Sequence, residues 1–295
     1  MLNQYVPKIY ICIPIFNRIE YTLKCIESIY NQSYPNFQII ICDDNSSDFS
    51  FEIISKKYPK TILLKGNGNL WWTGATNKCI EYALKTGINS DFIYTLNNDT
   101  ELYPNTLEKL IELTKLFPNS IIGTLNVFYN NHNLIENSAF IKKKTGRFKR
   151  VNKFGEELDS KIEIKKVSAL SGKGVLIPFN LFQKIGLYNF EKLPHYHADF
   201  EFSYRACKNG FPILLSYSSK LKSHQNLSGI GSVTSKPNIK EFIKSFKSIK
   251  STHHLPSLYN FYKLIYGKSY LLYFLSSLIF IHIGFIKRYL KHKIQ

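Results

Sequence analysis

Two short apolar runs decide the fold: IYICIPI at residues 9–15 and FQIIICDD at residues 37–44. Each run is continuous and rich in isoleucine, which is typical of a strand that is buried on both faces of a sheet. The second run ends in two adjacent carboxylates. Similar apolar runs predict further strands at residues 61–64, 91–96 and 121–125.

The segments between these runs carry apolar residues at helical spacing. Residues 20–31 and 74–86 predict helices, with Gly87 as the C-cap of the second, and Pro104 is predicted to open another at its first position. Strands that alternate with helices imply right-handed crossovers and a largely parallel α/β sheet.

Polar clusters follow two of the predicted strands directly. Asp43 and Asp44 end one strand, and Asn97, Asn98 and Asp99 end another. Ligands of such sheets bind beyond the carboxyl ends of the strands. The sequence therefore predicts a binding site at this edge of the sheet.

The composition describes a folded, strongly basic protein. Hydrophobic residues make up 44% of the 295 residues, so a core is expected, and the formal charge of +18 attracts anions. The basic residues cluster away from an aromatic face of the kind that binds nucleic acid, so no nucleic-acid partner is expected. The cysteines lack a C-x-x-C pair and are expected to be buried, reduced thiols in a cytoplasmic protein: Cys12, Cys25, Cys42, Cys79 and Cys207.

The chain changes in character after residue 125. Residues 142–153 hold seven Lys or Arg, which indicates either a solvated loop or a site for an anionic acceptor or lipid headgroup. Gly172 and Gly174 mark a loop with close backbone approach. A helix at residues 199–209 and a strand at 211–217 are predicted beyond it.

The last sixty residues, 236–295, carry eleven Lys or Arg and one acid, Glu241. They include eighteen uncharged residues at 269–286, flanked by Lys268 and by Lys287. That length is at the lower limit for a membrane span, and the flanking cations favour docking at a membrane surface. Packing on the rest of the chain is the third alternative.

These motifs occur in an order that resembles the inverting family-two glycosyltransferases, which have the GT-A fold. The resemblance covers about residues 6–230, and the double Trp is closest to the branch with many rhamnosyltransferases and other enzymes of bacterial surface polysaccharides. Its motifs are Asn17-Arg18, Asp43-Asp44, GNGNLWWTG at 66–74, NND at 97–99, GKGVLIP at 172–178 and HYHADFEFSYR at 195–205.

The resemblance implies a GT-A domain at residues 1–235, with a Rossmann-like mixed sheet flanked by helices. A donor-binding half at 1–125 and an acceptor half at 126–235 precede a basic, apolar helical tail at 236–295. The implied reaction moves a sugar from a dTDP- or UDP-sugar to a glycan or polyprenyl-diphosphate-linked hydroxyl, with inversion. The enzyme would sit on the inner face of the cell membrane. The implied donor-binding residues are Pro14, Asn17, Arg18, Asp43, Asp44, Asn69, Trp71, Trp72, Gly74, Asn97 and Asn98.

The resemblance also implies a divalent metal, Mg²⁺ or Mn²⁺, that neutralises the departing diphosphate. Asp99 matches the second acid of the family's D-x-D motif, but Asn97 replaces the first. In some relatives a histidine at the position of His224 completes this site. His195 and His197 have no partner at the spacing of a zinc site.

An inverting transfer also needs a base that deprotonates the acceptor hydroxyl. Asp199 matches the family's base, although Ala198 replaces the acid that usually precedes it, and Glu201 is a rival. Arg205 could hold a phosphate or pair with Glu201 at i,i+4. The departures at Asn97 and Ala198 leave a second hypothesis, a catalytically inactive scaffold in a membrane assembly.

Overall fold

The computed structural model describes residues 5–129, 138–141, 148–151, 163–224 and 237–294. Its strands alternate with helices in the first half of the chain, as predicted. The strands are β1 (Ile9–Ile15), β2 (Phe37–Asp43), β3 (Ile62–Lys65), β4 (Phe92–Thr95), β5 (Thr100–Leu102), β6 (Ile121–Phe128), β7 (Ser138–Ile141), β8 (Phe148–Arg150), β9 (Ile164–Lys166), β10 (Ala169–Leu170), β11 (Val175–Pro178) and β12 (Ile213–Ser223).

The main sheet has the order β3-β2-β1-β4-β11-β6-β12-β5, and β9 also pairs with β12. Strands β3, β2, β1 and β4 are parallel, but β11 runs antiparallel to both of its neighbours. Strands β6 and β12 pair in parallel and run in the same direction as β4, so the expectation of a largely parallel sheet is confirmed, with β5, β9 and β11 as the antiparallel members. The antiparallel strands β5 and β9 have only three residues each, too few for a period-2 pattern to predict them.

Alternate residues of β1 pack into two separate hydrophobic clusters. Ile11 and Ile13 lie in one cluster, and Tyr10 and Cys12 lie in the other. All four are buried, so the strand is covered on both faces as the isoleucine-rich run predicts. Burying one such aliphatic side chain stabilises the fold by about 1.5–3 kcal/mol.

Helices cover both faces of this sheet and extend beyond it at the C-terminus. They are α1 (Ile19–Tyr30), α2 (Ser50–Lys57), α3 (Trp71–Thr86), α4 (Thr106–Leu116), α5 (Phe179–Ile185), α6 (Ala198–Lys208), α7 (Ile239–Lys247), α8 (Leu255–Tyr266) and α9 (Tyr270–Ile294), with a 3₁₀ turn at Gly267–Ser269.

Two local predictions need correction, at Pro104 and Cys207, while the predicted C-cap at Gly87 is confirmed. Helix α4 begins at Thr106, two residues after Pro104, because Pro104 belongs to the turn that follows β5. Gly87 is the C-cap of α3, but its φ of −96° is not left-handed, and a Cβ there would lie 2.5 Å from Phe179. The space available, rather than the backbone angle, therefore requires glycine. Cys207 is exposed on α6, while the other cysteines are buried.

A small three-stranded sheet, with the order β10-β7-β8, lies beside the main one. It includes Phe148–Arg150 from the basic segment 142–153. Residues 142–147 and 152–153 lie outside the described residues. The two interpretations of that segment, a solvated loop and an anion site, therefore stay predictions.

The C-terminal helices pack on the main body along one side. Phe261 and Ile265 of α8 are buried in the core, and Phe274 of α9 packs against it. The opposite side of α9 is exposed, with Leu272 at 70% and Ile279 at 58%. By length and composition alone, one described helical segment, Leu255–Lys293, could cross a membrane.

Candidate active site

The carboxyl ends of β1, β2 and β4 meet at one edge of the sheet. Ile15 is in register with Asp43 across β1 and β2, and Cys12 is in register with Thr95 across β1 and β4. The residues that follow these strands enclose a cleft of about 390 Å³. It is lined by Pro14, Ile15, Phe16, Arg18, Asp44, Gly68, Trp71, Trp72, Asn97, Asn98, Asp99, His195 and Lys250.

Asp44 organises the loop that leads into α3. Its Oδ1 accepts a hydrogen bond from the Gly68 N–H (2.8 Å), and its Oδ2 accepts from the N–H groups of Leu70 (2.9 Å) and Trp71 (3.0 Å). A Cβ on Gly66 would lie 2.5 Å from Asp44 Oδ1, so only glycine fits there. A carboxylate offers about four acceptor positions, which leaves about one for a ligand.

Asn17 and Asp43 hold neighbouring loops and do not line the cleft. Asn17 has a left-handed φ of 58°, and its Oδ1 accepts from the Ser47 N–H (2.8 Å). Asp43 is buried, and its Oδ1 accepts from the Ser46 N–H (2.9 Å). These contacts keep the loop after β2 beside the left-handed turn at the end of β1.

The two tryptophans lie at the start of α3 with different partners. The Trp72 Nε1–H donates to Asn97 Oδ1 (2.9 Å), and a Cβ on Gly172 would lie 2.2 Å from the Trp72 ring. Trp71 lies beside His195, with ring centroids 5.6 Å apart. Trp72 therefore joins the β4 end to the glycine loop, and Trp71 faces the later part of the chain.

Asn69 and Gly74, the predicted donor-binding residues on either side of the two tryptophans, lie outside the cleft lining. The Asn69 side chain is exposed to solvent. Gly74 lies within α3, where a Cβ would come 2.8 Å from the Phe190 ring. Asn98 does line the cleft, and its Nδ2 donates to Thr22 Oγ1 (2.9 Å). Gly74 thus allows the helix and the Phe190 segment to pack closely.

Asp99 has the properties of a single metal ligand. Its buried Oδ1 accepts no hydrogen bond among the described residues, and Lys173 Nζ forms an ion pair with it at 3.1 Å. Asn97 Oδ1, by contrast, is already bonded to Trp72. The described residues contain no cluster of three His, Cys, Asp or Glu side chains for a metal. A metal here would therefore share Asp99 with Lys173 and take its other ligands from the donor.

His224 lies at the end of β12 with its own partners. Its Nε2 is 3.3 Å from Glu101 Oε1, and its ring stacks on Tyr129 with centroids 4.5 Å apart. Its backbone N–H donates to the Asp99 carbonyl (3.3 Å). The backbones of His224 and Asp99 are thus adjacent, while the imidazole pairs with Glu101.

Asp199 lies in the first turn of α6, half-buried and behind the cleft lining. Its Oδ2 accepts from the Gly172 N–H (3.0 Å), and its Oδ1 accepts from the Phe200 N–H (2.8 Å). Burial raises the pKa of Asp199 above its ordinary value, although these two hydrogen bonds act to lower it. A raised pKa brings a carboxylate closer to the range of an efficient general base.

Glu201 and Arg205 form a structural pair on the same helix. Arg205 Nε and Nη2 donate to the two carboxylate oxygens of Glu201 at 2.8 and 3.0 Å. Arg205 also donates to the Ile185 and Leu187 carbonyls. Because Glu201 is buried and held by a bidentate ion pair, its carboxylate is already occupied.

His195 and Lys250 line the cleft, although sequence reasoning did not place either there. Burial, with a smaller contribution from Lys250, lowers the pKa of His195 to about 4, and its buried Nδ1 has no hydrogen-bond partner among the described residues. Lys250 Nζ lies 6.0 Å from the centre of the Trp71 ring. His195 stands in a motif that could have suggested it, whereas no local pattern marks Lys250.

The cleft therefore has two walls of different origin. The strand-end wall consists of Pro14, Arg18, Asp44, Asn97, Asn98 and Asp99, with Trp71 and Trp72 at its border. The C-terminal wall consists of His195 and Lys250. The remaining predicted site residues lie outside the lining: Asn17, Asp43, Asn69, Gly74, Asp199 and His224.

Comparisons with known proteins agree with this architecture. An uncharacterised glycosyltransferase of Rickettsia typhi is 29% identical over 198 residues, which are 66% of this chain and 57% of that protein. One of Rickettsia prowazekii is 30% identical over 200 residues, with the same coverage. The glucosyltransferase WfgD of Escherichia coli, which acts on α-D-GlcNAc-diphosphoundecaprenol with UDP-Glc, is 28% identical over 135 residues, 45% of this chain and 49% of its own length.

Among solved structures, GalNAc-T7 with UDP, GalNAc and Mn²⁺ matches 91% of this chain and 49% of that chain, with a TM-score of 0.65 and 14% identity. That likeness confirms the predicted GT-A fold. The chain spans 57% of the length of the two Rickettsia relatives. The family model of Glycosyl transferase family 2 matches residues 10–186, more than half of the chain, so this protein belongs to that family.

Proposed function

We propose that this protein transfers a sugar from a nucleoside-diphosphate donor to the hydroxyl of a glycan or lipid-linked acceptor. The observation that supports this most is the cleft at the carboxyl ends of β1, β2 and β4, where Asp44 and Asp99 both line one cavity. Its volume of about 390 Å³ is within the range of small-ligand sites. dTDP- and UDP-sugars are the donors that we favour.

The strand-end wall is the proposed site of the donor. Asp44 has about one acceptor position left for a base N–H or a ribose hydroxyl after its contacts to the loop. Trp71 offers an aromatic face on which a base or sugar can stack. Arg18 supplies a positive charge for the diphosphate.

A divalent metal fits one part of this wall. Asp99 would hold Mg²⁺ or Mn²⁺ together with donor phosphate oxygens, because its buried carboxylate has a single ion-pair partner, Lys173, that a metal could displace. The ion would stabilise the negative charge on the departing diphosphate. The metal in the GalNAc-T7 structure supports this proposal. His224 would join the site only if its ring left Glu101.

Asp199 is the proposed base. It would take the proton of the acceptor hydroxyl while that oxygen displaces the diphosphate in a single step, which inverts the anomeric carbon. Its raised pKa supports the role, and the alternative base Glu201 is held by Arg205. Asp199 does not line the cleft, so an acceptor hydroxyl would reach it from the cleft only if the contact between Trp72 and Gly172 opened.

The acceptor side faces the basic, apolar C-terminal helices. The exposed side of α9 carries Leu272 and Ile279, and Lys287 and Arg288 follow on the same helix. Apolar surface with adjacent cations binds anionic membranes. We propose peripheral docking on the cytoplasmic face and a polyprenyl-diphosphate-linked glycan acceptor for surface polysaccharide. The name of the WfgD relative supports an acceptor of this class.

The donor is identified by screening dTDP- and UDP-sugars for nucleoside-diphosphate release with Mg²⁺ or Mn²⁺. We expect one donor to be turned over faster in the presence of a lipid-diphosphate glycan. The inactive-scaffold hypothesis, which rests on Asn97 and Ala198, predicts donor binding without turnover for every sugar and acceptor tried. For docking, replacing the exposed Leu272 and Ile279 of α9 by Asp should release the full chain from anionic vesicles, while a wild-type protein that never bound them would contradict the membrane proposal.

A further inference from the structure

Lys250 comes from a part of the chain that lies beyond the family match, which ends at residue 186. It follows α7 by three residues and is the one cleft-lining cation that the C-terminal helical region supplies within the described residues. Its side chain is exposed, and its Nζ lies 6.0 Å from the Trp71 ring centre. A cation over an aromatic face is held in place without losing its hydrogen-bond donors.

The turn that carries Lys250 is fixed to the catalytic side of the molecule. The Ser251 N–H donates to the Ser248 carbonyl (3.1 Å), and Ser251 is buried. One residue later, the Thr252 carbonyl is 2.8 Å from His197 Nε2. His197 is the N-cap of α6, two residues before Asp199. The position of Lys250 in the cleft is therefore set by a contact to the helix that carries the proposed base.

The charges around the cleft leave Lys250 available to an anion. No carboxylate among the described residues forms an ion pair with it. Of the two acids in the lining, Asp44 accepts three backbone N–H groups and Asp99 pairs with Lys173. Arg18 adds a second positive charge to the lining. Arg18, Lys250 and Lys173 together exceed Asp44 and Asp99 by one positive charge, so the cleft favours an anionic ligand.

We infer that Lys250 binds a diphosphate group in the cleft, and that the C-terminal region thereby completes the substrate site. The inference rests on the proposed function, since a diphosphate can come from two sources there: the nucleotide donor or a lipid-diphosphate acceptor. Lys250 holds whichever diphosphate lies in the cleft beside the Trp71 ring. The C-terminal helices are then part of the active site as well as a membrane-facing surface.

The test compares Lys250→Met with Lys247→Met in the full chain. Methionine keeps the length of lysine and removes its charge, and Lys247 is an exposed lysine at the end of α7 that does not line the cleft. Binding is measured by isothermal titration calorimetry with three probes. UDP and dTDP represent the nucleotide donor, and farnesyl diphosphate represents the lipid-diphosphate acceptor. Lys250→Arg checks that charge alone restores binding.

We expect Lys250→Met to weaken the binding of either the nucleotides or farnesyl diphosphate by about 10-fold or more, as expected when a charge-assisted hydrogen bond is lost. Lys247→Met should stay within about 2-fold of wild type, and Lys250→Arg should recover most of the affinity. Unchanged binding of all three probes by Lys250→Met, or no binding by the wild type, would overturn the inference. If Lys250-dependent binding occurs but no nucleotide sugar is turned over, the proposed function fails and this site stands.

Discussion

The two walls of the cleft differ in how far their polar groups are already bonded within the protein. On the strand-end wall, Asp44 accepts three backbone N–H groups and Asp99 pairs with Lys173. On the C-terminal wall, His195 Nδ1 has no hydrogen-bond partner among the described residues, and no described carboxylate pairs with Lys250. The polar groups of the strand-end wall mainly stabilise the loops around the cleft, and those of the C-terminal wall have more hydrogen-bonding capacity left for a ligand.

This difference indicates that the residues of a recognisable sequence motif are mainly those that hold the site together. The paired acids and the NND segment are recognisable because many contacts within the protein depend on them. The groups with the most free bonding capacity, His195 and Lys250, lie outside the residues that the family model matches. His195 Nδ1 is a buried polar atom, which is costly unless a ligand or water supplies a partner, and the exposed Lys250 keeps its donors available beside it. The C-terminal wall is therefore where substrate should contribute most.

The largest effect is expected at Asp199, in the first turn of α6 and outside the cleft lining. Asp199→Asn removes the base and, with its single amide oxygen, can accept from only one of the Gly172 and Phe200 N–H groups; kcat should fall by about 10²–10⁴-fold while UDP or dTDP binding stays unchanged. Nucleoside-diphosphate release at saturating donor and acceptor measures this. Glu191→Gln, an exposed acid near the same helix, is the control. Full activity in a folded Asp199→Asn protein would show that the base is elsewhere.

The second effect concerns the strand-end wall. Asp44→Ala leaves three backbone N–H groups of the loop before α3 without their acceptor, so the free energy of unfolding should fall by about 3 kcal/mol and nucleotide affinity should fall with it. Asp48→Ala removes the acceptor of the Ile19 N–H and of the Ser50 N–H and hydroxyl at two other helix starts, but it should cost only about 1 kcal/mol, because Asp48 is half-buried and water can replace it. Urea unfolding compares the two. Equal losses of unfolding free energy in the two variants would mean that Asp44 stabilises its loop no more than Asp48 stabilises the two helix starts.

A smaller effect concerns the histidines of the HYH motif. Burial lowers the pKa of both His195 and His197 to about 4, below the value of about 6.5 in an unfolded chain. The unfolded state therefore binds more protons, so stability is complete above pH 6.5 and is lost as the pH falls towards 4. From pH 7 to 5 we expect a loss of about 1 kcal/mol for each histidine after allowance for partial exposure.

His197→Gln tests this pH dependence. The variant should be less stable at pH 7, because the bond to Thr252 changes, but it should lose about 1 kcal/mol less than wild type between pH 7 and 5. Urea unfolding at the two pH values gives the difference. A variant with the same pH dependence as wild type would mean that His197 titrates normally.

The smallest effect is expected at the ion pair of the strand-end wall. Lys173→Met removes the ammonium group that competes with a metal for Asp99, so the Mn²⁺ concentration for half-maximal activity should fall several-fold. Lys192→Met, an exposed lysine outside the cleft lining, should leave it unchanged. A higher Mn²⁺ requirement in Lys173→Met would mean that the lysine assists metal binding.

Sequence alone was sufficient for much of the strand-end wall. The isoleucine runs predict β1 and β2 because both faces of those strands are buried, and the acids that follow mark the edge where their ends meet. The family resemblance then assigned the fold. The antiparallel β5 and β9 could not be predicted, because strands of three residues carry no usable pattern, and β11 lies in a segment that the sequence identifies only as part of the glycine-loop motif.

The C-terminal wall could not be predicted for a different reason. Lys250 reaches the cleft because Thr252 contacts His197, 55 residues earlier in the chain, and spacing carries no information about such a contact. The Lys173–Asp99 ion pair likewise joins residues from separate motifs. The motif at 195–205 contains His195, which the sequence suggests only as a poor zinc ligand. That its Nδ1 is buried without a hydrogen-bond partner among the described residues is evident only from the structure.

The most direct test of the account is a crystal structure of the full chain with Mn²⁺ and the nucleoside diphosphate that the donor screen identifies. The account predicts the nucleotide in the cleft, with the base or ribose beside Asp44 and the diphosphate between Asp99 and the C-terminal wall. A nucleotide bound away from both Asp44 and Asp99 would contradict it.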